Sequence, residues 1–403
     1  MTATLRFCLV TTFYPPYHFG GDAVFVHRLA GALARRGHRV DVVHSVDAYR
    51  LSRPEPQPGF EETPGVHRLP LASPSPLAAT LLSHQVGGPG PYRSRLREIL
   101  APGRYDVIHF HNVSLAGGPG VLRYGDGIKL YTAHEYWLVC PTHVLFRFDR
   151  EACARKTCLA CTLHARRPPQ LWRATDHLRD CMRHLDRLLL PSRFALERHR
   201  ADGIDVPMQV LPSFVPIPRE EATPQAGAPY FLFVGRLEKL KGLQDLFPVL
   251  RDFPEARLRI AGTGTYEHEL RRLAQGLPNV EFLGQVHPNR VTELYRDALA
   301  VLVPSLCYEV FPLAPVESLA HGVPVVARRI GALTEVIEES GGGMLFTTPA
   351  ECRAAMQKLL IDPALRAQLG ARGRRMALAE WTEDVHIARY LELIGTLISQ
   401  RTA

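Results

Sequence analysis

The chain has 403 residues, more than one ordinary hydrophobic core organises, so two or three domains of ~100–200 residues are expected. With 46% hydrophobic and 22% charged residues, its composition excludes a disordered, collagen-like or coiled-coil chain. The formal charge of +8 is unevenly held: residues 1–217 carry 27 Lys and Arg against 18 Asp and Glu, and residues 218–403 carry 21 against 22. A basic first half points to an anionic surface or a phosphorylated partner, with arginine-rich solvent faces as the plainer alternative.

No run approaches the ~18–20 apolar residues of a membrane span, and the N-terminus runs straight into a strand pattern. A cytoplasmic protein without signal peptide or transmembrane helix is expected, with peripheral contact to anionic membrane through the basic half as an added expectation. β-Branched runs at 5–11, 39–44, 106–110, 128–132, 187–190 and 209–211 alternate with helical patterns, which reads as a parallel sheet with crossover helices. Residues 53–93 are rich in Pro and Gly and read as long loops leaving that sheet, suited to acceptor recognition. Residues 171–190 read as an amphipathic surface segment with a basic polar side.

A linker composition at 216–228 separates this half from a second series, with strands at 230–234, 257–261, 280–283, 300–303, 324–327 and 344–346. The fold class is therefore α/β, with two doubly wound Rossmann-like domains at 1–215 and 229–380 facing a central cleft, where ligands of such sheets bind. The closing segment at 381–403, amphipathic over 385–399, has no strand after it and is able to cap either domain.

Three motifs carry chemistry. After the first strand come Tyr14-Pro15-Pro16 and Gly20-Gly21-Asp22, then a helix with Phe25, Val26, Leu29, Ala30 and Leu33 ending at Arg35-Arg36-Gly37. Asp22 reads as its N-cap and Gly37 as its C′ residue, and the two glycines let backbone approach an anion at the helix start. The second domain opens with Gly235-Arg236-Leu237 and Lys241-Gly242, a fork and a point charge suited to a diphosphate. Third, Glu309 and Glu317 are separated by seven residues around Phe311-Pro312-Leu313. A helix starting near Pro312 puts Glu309 in the loop at its N-terminus and Glu317 inside it, so one carboxylate meets sugar hydroxyls and the other a ribose. Each motif alone is also consistent with solvated loop charges or a tight turn.

Together and in this order, with Arg36-Gly37-His38 and Gly322-Val323-Pro324, the motifs resemble the retaining GT-B glycosyltransferases of family 4 over nearly the whole chain. The resemblance implies a first domain for the acceptor and a second for the nucleotide sugar. It assigns Arg236 and Lys241 to the diphosphate, Glu317 to the ribose, Glu309 to the donor sugar, His134 to the neighbourhood of the anomeric carbon, and Gly20-Gly21 to donor phosphate. Gly235, Gly262, Gly264, Phe311 and Leu313 complete the implied donor set, and Arg236, Lys241, Glu309 and His134 the catalytic one. The implied chemistry is same-face attack with the leaving phosphate oxygen taking the acceptor's proton, in keeping with the absence of an Asp-x-Asp signature. No cofactor is implied for catalysis. The implied leaving group is UDP ahead of GDP and ADP, and the acceptor a hydroxyl of a glycan, glycolipid or small molecule.

The chain departs from the family pattern twice. Pro312 stands where many members have Gly, so Phe311 or Leu313 has to supply the backbone donor to phosphate. Glu135 stands where Asp is common after the histidine. His109 and His111, at a strand end, read as neutral structural histidines, with an acceptor-side role as the alternative. Cys140, Cys153, Cys158 and Cys161 have the spacing C-x12-C-x4-C-x2-C within 140–165, which suits a structural zinc, with His143 or His164 as substitute ligands and reduced thiols or an iron–sulfur cluster as competing readings. Similar clusters occur in a branch of the family. Two other classes share these features: a nucleotide-sugar 2-epimerase, and a non-catalytic zinc-bearing basic module. Nucleic acid is not an expected partner, because the acids and cations of the motifs sit together in the second domain.

Overall fold

The computed structural model of the protein describes residues 4–57, 62–218 and 229–402. The chain forms two compact units, one of Met1–His143, Cys158–Leu211 and His386–Ala403, the other of Val144–Thr157 and Pro212–Val385. Most of the expected linker, residues 219–228, lies outside the described residues.

In chain order the first strands are β1 (Arg6–Val10), β2 (Arg39–Ser45), β3 (Val66–Leu71), β4 (Val107–Phe110), β5 (Ile128–Thr132), the two-residue β6 (Phe146–Arg147) and β7 (Glu151–Ala152), β8 (Arg187–Leu190) and β9 (Met208–Val210). Seven of them make one parallel sheet in the order β3-β2-β1-β4-β5-β8-β9. The central strands read as apolar runs because both faces are covered: Phe7, Cys8, Leu9 and Val10 are all fully buried. The helix Gly21–Arg35 lays Phe25, Val26, Leu29, Ala30 and Leu33 against this sheet. Gly37 ends it with φ +83°, its amide donating to the Ala34 carbonyl and the next amide, His38, to Leu33, which is the reciprocal pair of a Schellman motif. Asp22 is not its N-cap. That position is Gly20, and the Asp22 carboxylate instead accepts from the Ala23 amide at 2.8 Å inside the first turn.

Two regions depart from the sequence expectation. Residues 53–93 hold β3 and a helix, Pro76–Val86, rather than loops alone. The segment 171–190 is a 3-10 turn, Leu171–Ala174, a short helix, His177–Met182, and then β8, rather than one amphipathic element. The closing helix Glu383–Thr402 belongs from His386 onward to the first unit, where Tyr390 stacks on Phe7 at 6.2 Å and Arg401 pairs with Asp186 at 2.6 Å.

In the second unit, β6 and β7 form a hairpin whose turn residues Phe148 and Asp149 both have positive φ, as a type I′ turn requires. The unit's main sheet is parallel, with β10 (Tyr230–Val234), β11 (Leu258–Ala261), β12 (Val280–Gly284), β13 (Ala298–Val303), β14 (Val325–Arg328) and β15 (Gly343–Phe346) in the order β12-β11-β10-β13-β14-β15. Alternate residues feed separate cores: Phe231, Phe233, Ile260 and Leu302 on one face, Tyr230, Leu232, Val301 and Val303 on the other. In both sheets the order reverses beside the first strand, between β1 and β4 and between β10 and β13. Such switch points open crevices at the strands' carboxyl ends.

Candidate active site

In the second unit the loops after β10, β11 and β13 meet backbone to backbone. Gly242 has φ +72°, and a Cβ there would stand 2.0 Å from the Pro304 carbonyl oxygen. At Gly262 it would stand 1.9 Å from the Gly235 oxygen, and at Gly264 2.3 Å from that of Leu237. Only glycine permits these approaches, and they bring Lys241 to Glu309. The Lys241 ammonium donates to Glu309 Oε1 at 2.6 Å, and the Ser305 hydroxyl donates to the same oxygen at 2.8 Å. Burial opposes charge on Lys241, but the Glu309 carboxylate more than offsets it and holds the lysine above its ordinary range. Burial likewise raises Glu309, and the Lys241 charge with the hydrogen bonds from Lys241 and Ser305 outweighs it, leaving the carboxyl below its ordinary value. The pair is therefore charged on both sides at neutral pH.

The helix Leu313–Ala320 begins after Pro312, so Glu309 lies in the loop before it and Glu317 in its second turn. The Tyr295 hydroxyl donates to Glu317 Oε2 at 3.3 Å, and the Tyr295 ring stacks on His321. Phe311 and Leu313 pack their side chains against the core that holds Trp381. Arg236 is 56% exposed and pairs with Glu238 at 2.8 Å. Pairs so exposed contribute little, so its guanidinium exchanges partners at small cost. Neither Ser305 nor Tyr295 was assigned a role from the sequence. Ser305 stands four residues before Glu309, whereas Tyr295 lies on a different helix, with no pattern linking it to Glu317.

In the first unit, the loop after β4 carries His111 and the loop after β5 carries His134. His111 Nδ1 and His134 Nε2 share a hydrogen bond of 2.9 Å, their rings stack, and Phe25 of the first helix packs on His134. Burial pushes His134 down to about 4, against the raising effect of Glu135, and holds His111 and His109 well below the ordinary histidine value. All three imidazoles are neutral at pH 7. His109 is held on both nitrogens, by the Tyr390 hydroxyl and by Thr132 at 2.8 Å each, and so is a structural histidine. Glu135 pairs with His143 at 2.8 Å rather than with His134. Gly20 and Gly21 stand at the start of the first helix.

Cys140 and Cys153 are buried, whereas Cys158 and Cys161 are partly exposed. The Cys140 sulfur bonds the Thr142 hydroxyl at 3.2 Å, and the Cys153 thiol donates to the Arg155 carbonyl. Among the described residues, no three His, Cys, Asp or Glu side chains gather as a metal-ligand set. Nor is any described helix long and apolar enough to cross a membrane.

Comparison with known proteins gives this geometry its context. Residues 19–219 match the family model described as Glycosyltransferase Family 4, and residues 217–376 the model described as Glycosyl transferases group 1. The chain is 30% identical over 387 residues to a D-inositol 3-phosphate glycosyltransferase of Acidothermus cellulolyticus, covering 87% of this chain and 80% of that protein. The chain belongs to glycosyltransferase family 4. This family 4 transferase is also 28% identical to a glycogen synthase of Mycobacterium tuberculosis, over 93% of its own length and 90% of the relative's. Among solved structures it superposes on sucrose-phosphate synthase from Thermosynechococcus elongatus with a TM-score of 0.76 at 20% identity, covering 98% of this chain and all of that one. With Anabaena HepE, solved in complex with UDP, the TM-score is 0.68 at 15% identity, over 98% of this chain and all of the other. At these identities the superpositions establish the GT-B fold of the transferase and no more.

Proposed function

We propose that this transferase moves a sugar, with retention of anomeric configuration, from a nucleoside diphosphate sugar to a hydroxyl of a glycan, glycolipid or small molecule. The observation that supports it most is the half-buried Lys241–Glu309 pair, held by three interlocked glycine turns in front of the helix Leu313–Ala320. A cation fixed beside a helix N-terminus is matched to the charge that grows on a departing diphosphate. Lys241 and Arg236 hold that diphosphate, with the backbone at Gly235, Gly262, Gly264, Phe311 and Leu313 lining its path. Glu309 accepts from sugar hydroxyls and Glu317 from the ribose. For Gly20-Gly21 and the neutral His134 imidazole of the first unit, the roles toward phosphate and sugar rest on the family resemblance alone.

In the reaction, the acceptor oxygen bonds to the anomeric carbon as the bond from that carbon to the phosphate oxygen breaks. The acceptor's proton passes to the leaving phosphate oxygen, so positioning and charge stabilisation carry the catalysis. UDP is the proposed leaving group. It is the nucleotide in complex with HepE, which shares this fold. The zinc expected at Cys140, Cys153, Cys158 and Cys161 draws its support from spacing alone. Metal analysis of chain purified without chelator tests it, and less than one zinc per ten chains rejects it.

The deciding experiment is calorimetric titration with UDP, GDP and ADP of the wild type and of Arg236→Ala. Selective UDP binding, weakened in the variant, is the expected result. Equal binding of all three nucleotides, or equal UDP affinity in the two proteins, overturns the donor assignment. Nuclear magnetic resonance of the product's anomeric centre then tests retention.

A further inference from the structure

Arg328 and Arg329 follow one another at the carboxyl end of β14, in opposite surroundings. Arg329 is a surface arginine: its side chain is 52% exposed and pairs with Glu338, itself 56% exposed. The Arg328 side chain is 19% exposed, and its guanidinium carbon lies 5.2 Å from the centre of the buried Phe346 ring of β15. Turning an arginine inward costs side-chain entropy and hydration, so the groups it meets there have to offset both.

Those groups belong to the two loops of the candidate site. Arg328 Nε donates to the Pro304 carbonyl at 3.0 Å, just after β13, and Nη2 donates to Asp245 Oδ2 at 2.7 Å, in the loop system after β10. Asp245 stands at the N-cap position of the short helix Leu246–Arg251. An Asp there ordinarily accepts from the helix's own amides. Asp245 makes no such bond, and its carboxylate takes the arginine instead. The Pro304 carbonyl is the one that Gly242 approaches, and two residues on, the Leu306 amide donates to the Leu240 carbonyl at 2.8 Å. Lys241 lies between Leu240 and Gly242, while Ser305 and Glu309 follow Pro304. The guanidinium therefore spans the two loops at the backbone that sets Lys241 against Glu309. A planar fork fixes the separation of two acceptors, which a single ammonium on a flexible stem does not.

We propose that Arg328 is a positioning residue for sugar transfer, which ties the loop after β10 to the loop after β13 and so holds the Lys241 ammonium in place for the departing diphosphate. The proposal deepens the transferase reading and rests on it for the role of Lys241. Arg328 acts through the loops and not by touching the donor, since its fork is engaged by Pro304 and Asp245. A cation fixed before the donor arrives loses less freedom on binding and needs no rearrangement as the leaving charge grows.

Two measurements on the full chain test it. Hydrogen exchange at the Leu306 amide reads the tie between the loops without any nucleotide. Arg328→Gln is expected to speed that exchange at least about tenfold, while the amides of Phe231 and Val301 in the sheet keep their rates. Unchanged exchange at Leu306 overturns the proposal, and so does an equal loss of protection at all three amides, which would make Arg328 a general stabiliser of the unit. The second measurement is calorimetric UDP binding by wild type, Arg328→Gln, Lys241→Ala and the double variant. Arg328→Gln is expected to weaken UDP binding about tenfold, the order of one charge-assisted contact misplaced. Added to Lys241→Ala it is expected to cost less than about twofold, because its effect runs through that lysine. Full additivity overturns the proposal in favour of direct contact with the donor. Arg328→Lys keeps the charge without the fork and is expected to match Arg328→Gln; wild-type affinity in it also overturns the proposal. If Arg328→Gln fails to fold, Asp245→Asn, which releases one arm of the fork at a carboxylate 40% exposed, is read in its place with the same expected directions. A UDP affinity that Lys241→Ala leaves unchanged overturns the donor reading and the role of Arg328 with it, and Leu306 exchange tells that failure from a fork that ties nothing.

Discussion

The two switch points of the molecule are built from the same strand order and opposite chemistry. Beside β10 and β13 stand charges: Lys241 against Glu309, with Arg236 in the same loop system. Beside β1 and β4 the ionisable groups are imidazoles, His109, His111 and His134, stacked and driven neutral by burial. A crevice that stabilises a departing diphosphate needs fixed cations, whereas one that receives an uncharged hydroxyl needs polar groups without net charge. Both units thus take one topology, one with charged and the other with neutral groups at its switch point, and the roles proposed for those groups are testable residue by residue.

The largest effect is expected at the charged switch point. Lys241→Ala removes the cation proposed for the diphosphate and leaves Glu309, whose side chain is 17% exposed, with the Ser305 hydroxyl but without its lysine. Removing one charge of a largely buried ion pair is destabilising, by up to about 3 kcal/mol. Transfer is expected to fall at least about 100-fold, measured as kcat/KM for sugar release. An unchanged kcat/KM would take the pair out of the reaction. Next comes the scaffold that presents it. Gly242→Ala forces a side chain into a left-handed turn with its Cβ 2.0 Å from the Pro304 oxygen, so the loop has to move. A loss of at least about 2 kcal/mol in urea unfolding of the full chain is expected.

Much of this was legible beforehand, and the parts that were not share a cause. Strands such as β5 and β10 announce themselves because both faces are buried and β-branched or aromatic residues run together. β3 does not. It reads Val66-His67-Arg68-Leu69-Pro70-Leu71, and as the edge strand of its sheet it tolerates a proline and two basic residues that a central strand would reject. The motif around Glu309 placed its helix correctly, because proline marks a helix start whatever the tertiary context. The partners of its carboxylates were hidden, because Lys241 lies 68 residues from Glu309 and Tyr295 lies 22 from Glu317. Sequence spacing shows neighbours within an element, whereas these pairs depend on where loops and helices of different elements meet. Glu135 illustrates the same limit: its partner, His143, is set by the turn that carries Cys140, not by the adjacent histidine.

A smaller effect separates the two acids of the motif. Glu317→Ala removes a carboxylate proposed for the ribose and is expected to weaken UDP binding about tenfold, the loss of one charge-assisted hydrogen bond. Glu309→Ala is expected to lower kcat more than UDP affinity, because it meets the sugar. Calorimetry and single-turnover rates on both variants check the split. Equal UDP affinity in Glu317→Ala and wild type would remove the ribose assignment.

The smallest effect tests the neutral unit by pH. His44, His84 and His134 are each pushed down to about 4, burial being the largest cause in every case. Between pH 6.5 and about 4 the unfolded chain holds these protons and the folded chain does not, so stability falls as pH falls through that window and levels off below it. The second unit has no described histidine displaced that far, and acid is therefore expected to open the first unit before the second. Replacing one imidazole reads the slope directly. His84→Gln keeps a polar side chain and removes the titration, so relative to wild type it is expected to gain about 1 kcal/mol on going from pH 7 to pH 5. Urea unfolding at the two pH values, followed by the fluorescence of Trp172, which is bonded to the His84 carbonyl, supplies the measurement. A pH-independent difference between the two proteins would mean that His84 takes up its proton alike in the folded and unfolded chains, and that burial does not hold it neutral.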